Sequence, residues 1–259
     1  MQSADCAFKG TSTTIAELRA RYEIIDAALR AKALAVPNSP KKFDWSALHS
    51  FLSLSEHNPP FFPVLGGVLA EAEANNPVGW IPYAMSVLST PPAPLPLLDE
   101  SAPFEGILSG VAIDEANHIK NNNDFRHYLE DMLEAAPTVG SIFAEWRLIG
   151  QKWNIEAINR YPGTFDAVDV SSTGGKFVIV NNVADPAASL ASAEAVAGNF
   201  TPSGLVKNIA AGHTTFVALS DCLFGVMYQL FVLDILPAPG STCENIYGPP
   251  FGIQMPATF

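Results

Sequence analysis

Ile15, Leu18, Tyr22, Ile25 and Leu29 recur at steps of three and four, the spacing of one helical face. Thr14 and Glu17 stand at capping-box spacing just ahead of that stripe, so a helix is predicted from Thr14 through the alanine-rich stretch to Ala35. A polar turn, Pro37 to Lys42, separates it from a short helix that opens at the cap residue Asp44. That helix carries Trp45, Leu48 and Leu52 on one side and stops at Asn58-Pro59-Pro60. Phe61 to Asn75 forms the next, with Phe61, Val64, Leu65, Val68 and Leu69 as its stripe. Gly66 and Gly67 weaken it by about 1 kcal/mol each relative to alanine, and allow close helix–helix approach. Residues 78–89 form a further short helix interrupted at Pro82.

The proline-rich segment 91–98 is a stiff connector, and it marks the one candidate boundary inside what otherwise reads as a single compact domain, 1–259. Helical patterns then run over about 103–120, 124–136 and 138–160, with the asparagines 121–123 as a turn. Phe165 to Val170 and Lys176 to Val180 read as two strands of a hairpin around Ser171-Ser172-Thr173-Gly174-Gly175. Ala187 to Ala197 is helical. His213 to Leu236, the most apolar stretch, reads as a buried central helix, with a pair of strands as the alternative. The predicted fold class is therefore mainly α: a multi-helix, bundle-like domain with a small β hairpin near 165–181.

Charge narrows the partners. The chain carries 14 Lys plus Arg against 26 Asp plus Glu, a formal net charge of −12, and no basic cluster larger than Lys41-Lys42. Such a field repels phosphate backbones and anionic membrane faces, which argues against nucleic acid as a partner. The uninterrupted apolar run within 213–236 is too short for a membrane span. What is left is a small-molecule substrate or ligand, or a protein surface. No basic stretch followed by an apolar run opens the sequence, and Met1 to Cys6 reads as a mature chain carrying a starting methionine. The acidic, lysine-poor composition fits a secreted protein better than a cytoplasmic one. Three cysteines make no disulfide framework and no C-x-x-C zinc site; Cys6 with Cys243 is the expected bridge, with Cys222 a buried thiol in its apolar run.

The candidate chemistry centres on residues 104–119. Phe104, Ile107, Leu108, Val111 and Ala112 mark a buried face, and continuing the count lands on Glu115 and His118. A buried carboxylate needs a partner or a metal. Glu-x-x-His is half of the signature that di-iron carboxylate proteins place in a four-helix core, but no second copy occurs here, so no family is assigned. Two readings follow: a core hydrogen bond between Glu115 and His118, or a metal site completed by Glu71 and Glu145, with iron or manganese as the metal. His118 or His213 could also hold a haem. Arg147, beside Trp146 and Glu145, is a candidate clamp for a substrate carboxylate or an ordinary ion-pair partner. Glu56-His57-Asn58, with His49 upstream, offers a possible general base or a helix-terminus histidine. G-x-S-x-G, G-x-G-x-x-G, phosphate-loop and H-E-x-x-H signatures are all absent from the sequence. The expected function is a small-molecule enzyme, a metal- or haem-dependent oxidoreductase with Glu115, His118 and Arg147 as its working residues. Two alternatives stand beside it: a non-catalytic binder of an apolar ligand, and a secreted, surface-acting or toxin-like protein.

Overall fold

Local signals at the start of the chain become local structure as the pattern requires. The computed structural model describes residues 6–89, 119, 121–137, 140–151 and 168–244. Helix α1 spans Ile15–Ala31 and opens on the capping box: Glu17 N–H donates to Thr14 Oγ1 at 3.2 Å, and Thr14 N–H donates back to Glu17 Oε2 at 3.1 Å. Helix α2, Trp45–His57, opens on Asp44, whose Oδ1 accepts from Ala47 N–H at 2.9 Å. A 3-10 turn over Pro59–Phe61 leads into α3, Phe62–Glu73, and α4 follows at Trp80–Ser89. Pro82 lies in the first turn of α4, where no intrahelical N–H is needed, so it does not interrupt that helix. Helix α1 ends earlier than Ala35, because Leu34–Ala35 (β1) pairs antiparallel with Lys42–Phe43 (β2) and Phe43 is fully buried.

The chain divides into two compact units, one holding Met1–Ile25, Leu54–Asn76 and Gly163–Phe259, the other Asp26–Ser53 and Pro77–Pro162. The second is helical in its described residues apart from the short β1–β2 pair. It buries Leu29, Val36, Phe43, Leu48, Phe51, Leu52, Ile81, Ala84 and Met85. Helices α5, Asn122–Ala135, and α6, Gly140–Gln151, pack on each other. Asn121 caps α5 by accepting from the N–H groups of Asn123 and Asp124. The proline-rich segment 91–98 and the helix expected over 103–120 lie outside the described residues, apart from Ile119.

The first unit carries the main correction to the expected fold. Strands β3, Val168–Asp169, and β4, Phe177–Ala184, do not form a hairpin with each other. Instead β3 pairs in parallel with β5, Phe200–Thr201. A three-stranded, all-parallel sheet is ordered β4-β6-β7, with β6 at Ser203–Ala211 and β7 at Thr242–Glu244. Helix α7, Leu190–Asn199, connects β4 to β6, and α8, Asp221–Leu233, connects β6 to β7. The protein is thus mixed α/β rather than a helical bundle. A strand paired in parallel needs a long crossover instead of a tight turn, so its partner lies far along the sequence and no short-range hairpin pattern announces it. Ser203–Ala211 escaped notice because Gly204, Lys207 and Asn208 break any clean apolar alternation.

Behind the sheet, Val206, Leu223 and Cys243 form a buried cluster flanked by Val178, Val180 and Val226. Cys222 and Cys243 are joined in a disulfide, with their Cα atoms 5.6 Å apart, and Cys6 is free. This overturns the expected Cys6–Cys243 bridge: the first turn of α8 lies beside β7, a neighbourhood that only the crossover creates. Closing a loop of 21 residues stabilises the fold by about 3 kcal/mol in the chain-entropy picture. Nor is 213–236 a buried central helix. Only α8 within it is an α-helix, and its far side, Phe224, Tyr228 and Phe231 (79% exposed), is open. Among the described residues no helix is long and apolar enough to cross a membrane.

Candidate active site: a histidine and an aspartate at adjacent strand ends

Strands β4 and β6 finish level with each other, Ala184 opposite Ala211. The next residue after β4 is Asp185; after β6 come Gly212 and His213. In open parallel sheets, ligands and catalytic groups gather outside the carboxyl ends of the strands, and these two side chains stand there. His213 Nδ1 lies 3.0 Å from Asp185 Oδ1 and 3.2 Å from Oδ2. The carboxylate is otherwise saturated by backbone: Ala187 and Ala188 N–H donate to Oδ1 at 2.9 and 2.8 Å, and Thr214 N–H donates to Oδ2 at 3.1 Å.

The environment sets the protonation. Burial pushes the Asp185 carboxyl upward, but the N–H groups of Ala188 and Ala187, the His213 ring and Thr214 N–H outweigh it and hold it below the ordinary aspartate value. Asp185 is therefore ionised at neutral pH. An ionised partner requires His213 Nδ1 to carry a proton, so in the neutral ring Nε2 is the nitrogen with the lone pair. The Asp185 side chain is 2% exposed and that of His213 40%, so the acid is enclosed while the imidazole reaches solvent. Among the described residues nothing hydrogen-bonds Nε2.

The loop that bears His213 is held in a conformation that few residues adopt. Gly212 has φ +104°, and a Cβ there would meet Pro59 Cδ and Cγ at 2.6 Å and Val217 Cγ2 at 2.8 Å. Thr214 has φ 66° and ψ 153°, a region populated almost only by glycine and costing a β-branched residue roughly 1–3 kcal/mol. Such outliers persist where the surroundings over-determine them. Here Gly212 N–H donates to Ala184 O at 3.1 Å and His213 N–H to His57 O at 2.9 Å. The His57 ring also stands edge-on to that of His213, with centroids 5.4 Å apart.

A second histidine–aspartate pair occupies the helical unit. His49 Nε2 lies 2.7 Å from Asp26 Oδ1, which also accepts from Trp45 Nε1 at 2.8 Å, while Arg30 Nε donates to Oδ2 at 2.8 Å. The Arg30 guanidinium sits 4.2 Å from the Trp45 ring centroid. His49 is 3% exposed, so its ring cannot meet a substrate. Burial raises the Asp26 carboxyl, but bonds from Arg30, His49 and Trp45 more than offset this and hold it below its ordinary value.

Of the residues singled out in the sequence, His213 stands at the site, paired with an aspartate, and His57 stands beside it. Glu71 is half-buried on α3, Glu145 is exposed on α6, and Arg147 is half-buried with its guanidinium 5.6 Å from the Tyr128 ring. Glu115 and His118 lie outside the described residues. Among the described residues no three His, Cys, Asp or Glu side chains come together as a metal site. Asp185 was missed. The signal that could have found it is an apolar run ending in Asp185-Pro186, a helix, and a second run ending in Gly212-His213, a βαβ unit with a polar residue after each strand.

A family model described as TAP-like protein, of α/β-hydrolase type, matches residues 144–243, fewer than half of the 259. Asp185 and His213 both lie within the match. No curated protein matches the chain. The family match, with no donor cluster among the described residues, overturns the metal- or haem-dependent oxidoreductase expected from the sequence.

Proposed function

We propose that the protein is a hydrolase of the acyl-transfer type in which His213 is the general base and Asp185 orients it. The observation that carries this reading is the bond from His213 Nδ1 to a buried, ionised Asp185, which leaves Nε2 unbonded among the described residues, on a part-exposed ring at the ends of two adjacent parallel strands. The TAP-like match over the same residues supports it. In the reaction, Nε2 takes the proton of an attacking O–H as its oxygen adds to the substrate carbonyl carbon. The imidazolium, stabilised by Asp185, then gives that proton to the departing oxygen or nitrogen. Water supplies the hydroxyl that ends on the acid product. The Cys222–Cys243 bridge supports an oxidising, extracellular setting for this activity.

The test follows release of p-nitrophenol from a p-nitrophenyl ester and of p-nitroaniline from an aminoacyl anilide. His213→Ala and Asp185→Asn are expected to lower the rate by about 10³-fold or more. Full activity in a folded His213→Ala protein, or no turnover of either substrate by the wild type, defeats the proposal. Since the sequence holds no G-x-S-x-G, a fluorophosphonate probe identifies the attacking oxygen. A covalent adduct marks a side-chain hydroxyl, and turnover without an adduct marks water.

A further inference from the structure

Two fully buried asparagines lie directly under the His213 loop. Asn182 and Asn208 face each other in the β4–β6 register. Asn182 Nδ2 donates to Gly212 O and to Thr214 O, each at 2.8 Å, so its two protons hold the carbonyls on either side of His213. Asn208 Nδ2 donates to Asn182 Oδ1 at 2.7 Å and to Ala218 O at 3.1 Å. That bond orients the Asn182 carboxamide. Turned over, its oxygen would face two carbonyl oxygens and its NH2 would face another NH2.

We infer that Asn182, aligned by Asn208, is the positioning residue that sets His213 against Asp185. Stability alone explains the pair poorly. Burying two carboxamides between strands costs free energy unless every group is bonded, and Asn208 Oδ1 has no partner among the described residues. A valine pair would fill the same register without that cost. What apolar side chains cannot do is pin Gly212 O and Thr214 O together, and with them the positive φ of Thr214 that aims its N–H at Asp185 Oδ2. Asn182 also stands three residues before Asp185, so one strand end carries both the acid and the clamp on the base. The inference rests on the hydrolase reading only for its catalytic consequence; the geometry it predicts is measurable without substrate.

Proton NMR and hydrogen exchange on the full chain test it. In the wild type, the Asn182 side-chain NH2 and the His213 Nδ1–H are expected to exchange with solvent far more slowly than exposed counterparts. Asn182→Asp keeps the shape and leaves at most one donor for the two carbonyls, and should speed exchange of the His213 Nδ1–H at least 10-fold. Asn208→Ser should act in the same direction and less. In turnover, Asn182→Asp should lower kcat about 10- to 100-fold with KM nearly unchanged, as expected for a misplaced base. An unchanged Nδ1–H in a folded Asn182→Asp protein overturns the inference, as does fast exchange of the Asn182 NH2 in the wild type. If Asn182→Asp does not fold, Asn208→Ser and the wild-type exchange decide. Activity that survives His213→Ala would instead strike the hydrolase reading and leave the clamp standing.

Discussion

Each unit of this protein contains a histidine bonded to an aspartate below its ordinary value, yet only one of the two rings reaches solvent. At Asp26 the ring is bound through Nε2, the carboxylate is shared with Trp45 and Arg30, and His49 is enclosed. At Asp185 the ring is bound through Nδ1, the carboxylate is filled by backbone N–H groups, and His213 is partly open. Which ring nitrogen takes the acid, and where the other one then points, separates a packing device from a base. The partners of the acid matter as well. Trp45 and Arg30 are side chains of the helices they join, whereas the donors of Ala187, Ala188 and Thr214 fix the carboxylate to loops that must not move.

The comparison can be broken by exchange of roles. The largest effect is expected on activity: His213→Ala loses about 10³-fold or more in turnover, whereas His49→Ala keeps the turnover per folded molecule and melts earlier. Equal losses of activity in the two variants would erase the distinction. Next is Gly212→Ala, which adds a Cβ against the Pro59 ring at a backbone φ of +104°. It should cost roughly 2–4 kcal/mol in denaturant unfolding and lower kcat with it. His49→Ala should cost about 1–3 kcal/mol, since it takes one bonded partner from a carboxylate that still has Arg30 and Trp45. Trp45→Phe, which removes one donor from Asp26 and keeps the ring, should cost about 1 kcal/mol and leave activity alone.

Acid sharpens the same contrast. Asp26 and Asp185 are both lowered on folding, so each contributes stability that is present above its unfolded value, near 3.8, and is lost as pH falls through its folded value. A pH series of urea melts should therefore show stability falling below about pH 4. Asp26→Asn should flatten part of that slope without changing the pH dependence of turnover. Asp185→Asn should flatten part of it and lower turnover by about 10³-fold or more.

The first helices were legible where their signals are local. Thr14 with Glu17 and Asp44 with Ala47 act across three residues, and the structure shows these caps as read. Val64, Val68 and Leu69 are buried as their spacing requires. The site was half legible: His213 and His57 drew notice singly, but nothing in either neighbourhood said that they stand ring to ring. Asp185 drew none, because an aspartate followed by proline after an apolar run looks like any turn.

By itself the sequence determined the acidic, phosphate-repelling charge, the caps, and the apolar faces of the first helices, since each depends on composition or on residues within one helical turn. Tertiary structure alone decided that Phe177–Ala184 joins a parallel sheet, that Cys222 rather than Cys6 bonds Cys243, and that His213 meets Asp185 across 28 residues. The physical reason is common to all three. Parallel pairing leaves its partner a whole helix away along the chain, so what comes together at the strand ends is set by the crossover and not by any spacing that a short window can contain.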